Sequence, residues 1–142
     1  MGRILAIDYG QKRIGLAVTD ELKIFATALD TVPVKDIFTY LENYFDKEQV
    51  ECVVIGDPRQ MDYTASESAK YIEPFVKKFK KVFQTIRVER FDERFTSKMA
   101  HQTLIDAGVK KKERQNKSMI DKISATLILQ SYLNSLQYKL NH

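Results

Sequence analysis

"ILAIDYGQKRIGLAV", residues 4–18, contains two apolar runs separated by a short polar stretch with a glycine. The runs at 3–8 and 13–20 each predict a buried strand. The connection between them is too short to hold a crossover helix, so the two strands should pair as an antiparallel hairpin. The first strand also carries Asp8 at its end, where a buried carboxylate without a partner would cost several kcal/mol.

Patterning elsewhere predicts three further strands and several amphipathic helices. Strands are expected at 25–32, 51–58 and 86–91, and helices at 33–49, 64–79, 96–107 and 118–136. The strands of the unit at 51–91 should be parallel and joined by a right-handed crossover. Pro74 should kink the second helix or make it restart.

These elements predict an α/β domain over residues 1–138 with a short tail at 139–142. The expected mixed five-stranded sheet has three antiparallel strands followed by two parallel ones, flanked by helices on both sides, which is the layout of the ribonuclease H-like fold. A flavodoxin-like sheet is the main alternative because it also begins with a strand ending in Asp. That alternative, like a small phosphatase or receiver domain, needs a helix after the first strand.

Length and composition describe a globular protein. The chain has 142 residues, 44% of them apolar, enough for one continuous core. The apolar runs are far shorter than the roughly 20 residues that span a bilayer, and a secretory pattern is lacking, so we expect a cytoplasmic protein without a membrane partner. The single Cys52 excludes an intrachain disulfide, and its apolar neighbours predict a core position.

Positive charge is concentrated late in the chain. The whole chain has a net charge of +4, whereas from Arg94 to Lys122 eight cations stand against three anions, a local net charge of +5. A polyanion such as nucleic acid is therefore a reasonable partner, and a solvated loop and helix face is the alternative. The cations expected to grip phosphates are Lys110, Lys111, Lys112, Arg114 and Lys117.

Carboxylates follow two of the predicted strands. Asp8 ends the first strand, and Asp92 and Glu93 come directly after the strand at 86–91. A hydrogen bond or ion pair could compensate Asp8, and so could a divalent cation at the carboxyl edge of the sheet. Strand alternation lets only one of Asp92 and Glu93 face that edge. Helix capping by Asp92 and pairing of Glu93 with its basic neighbour are the alternatives.

Asp121 lies at the start of the last predicted helix, bordering the apolar stripe that should pack on the sheet. Ser118 and Asp121 also have capping-box spacing, so a purely structural role is the alternative. If the acidic positions converge at one sheet edge, cations between them would relieve their repulsion. Oxygen-only ligands indicate magnesium or manganese, and two bridged ions suit phosphodiester hydrolysis. Asp57 could add a ligand or simply make a turn before Pro58.

Taken together, these motifs resemble the YqgF family, a RuvC-like branch of the ribonuclease H-like superfamily whose members are named Holliday junction resolvases or pre-16S ribosomal RNA nucleases. The matching segments occur in order over nearly the whole chain: "LAIDYGQKRIGLAV", "VVIGDPRQMD", "FDERFTS" and "IDKISATLILQSYL". The resemblance implies a ribonuclease H-like fold and metal-dependent nuclease chemistry.

Carried over by matching position, the resemblance implies that Asp8, Glu93 and Asp121 are the catalytic metal ligands, with Asp92 as a substitute for Glu93. It implies one or two Mg²⁺ or Mn²⁺ ions as cofactor. Positions matched to substrate contact are Gly10, Lys12, Arg13 and Arg94. The second motif departs from the family pattern, because Asp57 replaces an apolar residue and Tyr63 replaces a glycine.

The implied function is a hydrolase, an endonuclease that processes the 5′ end of pre-16S ribosomal RNA in ribosome biogenesis. One alternative is cleavage of branched DNA in the manner of a Holliday junction resolvase. Another is a nucleic-acid-binding or transcription-associated factor with little nuclease activity.

Overall fold

The chain folds around a five-stranded sheet in a computed structural model that describes residues 2–10, 12–23, 25–57, 69–92 and 117–141. The strands are β1 (Arg3–Tyr9), β2 (Arg13–Thr19), β3 (Ala26–Pro33), β4 (Val50–Asp57) and β5 (Arg87–Asp92). A 3₁₀ turn at Val34–Asp36 leads into helix α1 (Ile37–Lys47), and two further described helices are α2 (Ala69–Val82) and α3 (Lys117–Asn141). The helix expected at 96–107 lies outside the described residues.

The sheet has the order β3-β2-β1-β4-β5, which places β1 at its centre. β1 pairs antiparallel with β2, and β2 pairs antiparallel with β3. β4 is parallel to β1, and β5 is parallel to β4. The predicted mixed topology is therefore confirmed, and the β1–β2 hairpin excludes the flavodoxin-like and receiver-like alternatives, which need a crossover helix there.

The two faces of the sheet bury separate sets of apolar side chains. Along β1, Leu5 and Ile7 belong to a core cluster with residues of α1 and α2, whereas Ile4 and Ala6 belong to a second cluster with residues of α3. This alternation follows from the two-residue period of a strand. Helices on both faces make β1 fully buried along most of its length, which its continuous apolar sequence requires.

Helix α2 runs through Pro74 without interruption, so the predicted restart there is wrong. Proline removes one backbone donor from a helix. Ile72 before Pro74, and Phe75 and Val76 after it, are all buried against the sheet and hold both parts of α2 to the core. Pro74 itself is exposed, so its ring does not disturb this packing.

Helix α3 continues to Asn141, past the expected end near Leu136, so most of the tail expected at 139–142 is helical. The added segment contains neither Gly nor Pro, the residues that commonly end helices. Among the described helices, none is both long enough and apolar enough to cross a membrane.

Phe79 of α2 is the centre of an aromatic group beneath the sheet. It is fully buried, and its ring lies 5.0 Å from that of Phe83, 6.2 Å from Phe75 and 6.3 Å from Phe45, centroid to centroid. We expect Phe79→Ala to lower the free energy of unfolding by about 3–5 kcal/mol, since it removes a large buried ring and leaves a cavity. Denaturant unfolding followed by circular dichroism measures this loss.

Phe25 provides the matched control, because its side chain is 68% exposed. Phe25→Ala should change the free energy of unfolding by less than about 0.5 kcal/mol. Equal losses for the two substitutions would contradict the assignment of Phe79 to the core.

Candidate functional site

Asp8 lies at the carboxyl end of the central strand. Its backbone is paired with Gly15 of β2, and the residue is partly exposed. Counted along β1, Asp8 follows Ile4 and Ala6, which pack with α3. Asp8 therefore ends β1 on the α3 side of the sheet, at the rim where the buried strand reaches solvent.

The parallel strands β4 and β5 end at the same edge of the sheet as β1. Ile7 is paired with Ile55, one residue before Asp8, and Asp57 is paired with Asp92 across β4 and β5. The topology thus brings the backbones of Asp8, Asp57 and Asp92 to one edge, as expected for the carboxyl ends of parallel strands.

Strand alternation separates these acidic positions. Asp92 stands two residues after Arg90, which donates a hydrogen bond of 3.0 Å to Glu73 of α2. Asp57 stands two residues after Ile55, which packs in the cluster with α1 and α2. Along the strands, the positions of Asp57 and Asp92 therefore alternate in step with Ile55 and Arg90, whereas the position of Asp8 alternates in step with Ile4 and Ala6.

Helix α3, which contains Asp121, packs on the side of the sheet on which Asp8 ends β1. Near the other end of the sheet, the side chains of Tyr132 and Arg87 hydrogen-bond with Cys52, and Cys52 and Arg87 are cross-strand partners at the start of β4 and β5. Asp121 precedes Tyr132 by eleven residues, a rise of about 16 Å along the helix. Asp121 therefore lies about three helical turns before the residue that contacts Cys52.

Cys52 is a structural residue, as its sequence context predicted. It is fully buried, and burial raises the pKa of its thiol, an effect that the hydrogen bonds from Arg87 and Tyr132 oppose. The thiol is therefore protonated near neutral pH and unsuited to act as a nucleophile or metal ligand.

The turn after β1 carries the candidate phosphate contacts Lys12 and Arg13. Lys12 is exposed and Arg13 is partly buried. The backbone carbonyl of Lys12 accepts a hydrogen bond of 3.0 Å from Val34, which fixes the turn against the segment leading into α1. Two cations are thus positioned just beyond Asp8.

Gly10 has an intramolecular role that the sequence did not reveal. Its N–H donates a hydrogen bond of 2.9 Å to the carbonyl oxygen of Arg13, and a Cβ at this position would lie 2.5 Å from that oxygen. The missing side chain is therefore required by the turn itself, in addition to the predicted approach of substrate.

Tyr9 packs on the opposite side of the sheet from Asp8. Its ring centroid lies 4.9 Å from that of Phe75 in α2, and burial raises the pKa of its phenol. The side of Tyr9 follows from the two-residue period of the strand, because Leu5 and Ile7 point to the same side. Tyr9 joins the end of β1 to α2.

Other predicted site residues fall outside what the structure describes. Glu93, Arg94, Lys110, Lys111, Lys112 and Arg114 lie outside the described residues, and the side chains of Asp57, Asp92, Lys117 and Asp121 are not described. Within the described part of the chain, no three His, Cys, Asp or Glu residues are grouped as metal ligands would be. The assignment of Glu93 and Asp121 therefore remains a prediction.

Comparison with known proteins relates the chain to nucleases. The model of the RuvX family, described as Holliday junction resolvase, matches residues 2–135. A protein of Flavobacterium johnsoniae named "Putative pre-16S rRNA nuclease" is 55% identical over 138 residues, covering 97% of this chain and 100% of the relative. A Bacteroides thetaiotaomicron protein of the same name is 53% identical over 138 residues, with the same coverage of both chains.

Solved structures of resolvases share the fold. RuvC of T. thermophilus in complex with a Holliday junction substrate has a TM-score of 0.57 at 15% identity and covers 96% of each chain. The fowlpox virus resolvase, solved with Holliday junction DNA, has a TM-score of 0.58 at 14% identity and covers 94% of this chain and 98% of its own. These likenesses support the predicted ribonuclease H-like architecture.

The close approach at Gly10 generates a test of the turn. We expect Gly10→Ala to lower the free energy of unfolding by about 1–3 kcal/mol, because the added Cβ collides with the carbonyl of Arg13 and the turn must open. Lys12→Ala, in the same turn but exposed, should leave stability nearly unchanged and serves as the control. Urea unfolding of both variants measures the difference, and equal stability would show that the turn tolerates a side chain.

Proposed function

The chain belongs to the RuvX family of Holliday junction resolvases, and from that premise we propose that it is a metal-dependent endonuclease acting on structured nucleic acid. We propose pre-16S ribosomal RNA as its substrate, because relatives 53–57% identical carry that RNA in their names, and we propose its 5′ end as the place of cleavage. The observation that carries the proposal is the position of Asp8, at the carboxyl end of the central strand, where the ends of β4 and β5 also lie.

The donor chemistry of this edge fits magnesium or manganese. We propose that Asp8, Glu93 and Asp121 hold the ion or ions, since hard cations prefer carboxylate oxygens and the described thiol, Cys52, is buried elsewhere. The two-residue period of a strand supports Glu93 rather than Asp92. In sequence, Glu93 is two residues after Phe91, which packs with the α3 cluster on the side on which Asp8 ends β1. Asp121 is supported by its place in α3, the helix that covers the side of the sheet on which Asp8 ends β1.

In the proposed mechanism, Asp8, Gly10, Lys12 and Arg13 have separate roles. When bound, a divalent ion stabilises charge on the phosphate and lowers the pKa of a water near it. Asp8, fixed by strand pairing with β2 and β4, would hold its carboxylate rigidly at the sheet edge. Lys12 and Arg13 would contact phosphates on either side of the scissile bond, and the Gly10 turn keeps them in place.

DNA junction cleavage is the second candidate, favoured by the description of the matching family model. Both substrates contain phosphodiester bonds, so the proposed carboxylate-held cation and the neighbouring lysine and arginine would serve either one. A side-by-side assay of a precursor 16S RNA fragment and a four-way DNA junction distinguishes them.

We expect Asp8→Asn to lower magnesium-dependent cleavage by about a hundredfold or more, because loss of a ligand carboxylate removes several kcal/mol of transition-state stabilisation. Binding of the same RNA should be retained. The control is Asp46→Asn, an exposed carboxylate on α1 that makes the same charge change. Gel assays across magnesium and manganese concentrations provide the measurement. If the wild-type chain cuts neither substrate at any concentration, the endonuclease proposal fails and a binding factor is favoured.

The predicted basic loop generates a separate test. Replacing Lys110, Lys111 and Lys112 with Gln should weaken RNA binding and lower the slope of log affinity against log salt by up to about 3, roughly one for each phosphate that is no longer neutralised. The matched variant with three Arg residues keeps the charge and should keep the slope. An unchanged slope in the Gln variant would remove this loop from the interface.

A further inference from the structure

Helix α2 carries a concentration of positive charge that the proposed active edge does not use. Within Ala69–Val82 five lysines stand against one glutamate, a net charge of +4, as large as the net charge of the whole chain. All five are exposed: Lys70, Lys77, Lys78, Lys80 and Lys81. The sequence pattern alone indicated only a solvated helix face.

Three of these lysines lie on one side of the helix. At 3.6 residues per turn, Lys77 lies two turns after Lys70, and Lys81 lies one turn after Lys77, so the three share one side of the helix. This side is opposite the buried Ile72 and Phe79. With a rise of about 1.5 Å per residue the stripe is about 16 Å long. We call Lys70, Lys77 and Lys81 the lysine stripe.

Within the described part of the chain, carboxylates do not neutralise the stripe. Glu73, the one carboxylate of α2, is engaged by Arg90 of β5 at 3.0 Å. Among the described residues no salt bridge joins a lysine of α2 to a carboxylate, and Lys78 instead lies over the ring of Phe38, 4.5 Å from its centroid. With respect to the described residues, the positive charge of the stripe is therefore left for an external anion.

The stripe is held in a fixed position relative to Asp8. Tyr9, the residue after Asp8, packs its ring 4.9 Å from that of Phe75, which lies between Lys70 and Lys77 in α2. Because α2 connects the end of β4 to the start of β5, it runs antiparallel to both strands. Lys70 thus lies about 7 Å beyond the level of Phe75 toward the site edge, and Lys81 about 9 Å in the other direction.

We propose that the lysine stripe binds the sugar–phosphate backbone of an arm of the nucleic acid that is cut at the Asp8 edge. This inference rests on the proposed function and adds a second binding surface, on the α2 side of the sheet. A duplex carries one charge per about 1.7 Å of axis, so the stripe spans about five base pairs. Lysines interact with phosphates as point charges, so this binding should not depend on base sequence.

The test compares two double variants of the full chain. Lys77→Gln with Lys81→Gln removes two stripe charges, and Lys35→Gln with Lys47→Gln removes two exposed lysines elsewhere. The probes are a precursor 16S RNA stem of about ten base pairs beyond the cleavage point and the same RNA trimmed to about three. Filter binding across salt concentrations gives Kd and the salt slope, and thermal melts verify folding.

We expect the stripe variant to raise Kd for the long stem roughly tenfold and to lower the salt slope by about two, with little change for the trimmed RNA. The Lys35 and Lys47 control should bind both like the wild type. Replacing Lys77 and Lys81 with Arg should preserve binding, because the charge is kept.

Equal Kd and slope for the stripe variant and the control on the long stem would overturn this inference, even if the wild type cleaves RNA. The inference would also be overturned if the stripe variant lost binding to an acidic polypeptide such as polyglutamate and kept its binding to the RNA. That result would identify a protein partner instead. If the wild type cuts nothing but stripe-dependent binding is observed, the endonuclease proposal fails and the stripe stands. If the wild type does not bind the RNA, both fail.

Discussion

The structure depends on the burial of β1 as the central strand of the sheet. Its backbone is hydrogen-bonded on one edge to β2 and on the other to β4, and its side chains are covered on both faces by helices. A strand in this position has little freedom to shift, since a slip of one residue would exchange its two faces. Asp8 at its end is therefore held more rigidly than a carboxylate on a loop would be.

The two-residue alternation of β1 directs its side chains to two sides of the sheet, one covered by α3 and the other by α1 and α2. Asp8 ends the strand on the side covered by α3, and the next residue, Tyr9, packs on the other side against Phe75 of α2. One strand thus fixes the proposed catalytic edge and the charged helix α2 relative to each other. A substrate arm crossing the edge from one side to the other would meet both surfaces without any movement of the protein.

The sequence allowed the hairpin, the parallel β4–β5 pair and the alternating faces to be predicted, because each follows from local period and loop length. The polar connection at residues 9–12 leaves room for a turn only, and this excludes the rival folds. The role of Gly10 was missed because its neighbour, the carbonyl of Arg13, is brought close by turn geometry that residue types do not specify. Likewise, the helical period places Lys70, Lys77 and Lys81 on one side of α2, but only the contact between Tyr9 and Phe75 shows that this helix lies beside the site.

Charged residues are arranged differently at the two ends of the sheet, and the difference follows from the topology. At the amino end of β1, Arg3 pairs with Glu48 at 3.2 Å, and Lys23 of the β2–β3 turn pairs with Glu51 at the start of β4. Opposite charges from different elements meet there and stabilise the fold. At the carboxyl end, parallel strands bring positions of one sign together, and the nearby cations, Lys12 and Arg13, come from a single turn. In the proposed function, the carboxylate of Asp8 would hold a divalent cation, while the side chains of Lys12 and Arg13 would contact phosphates.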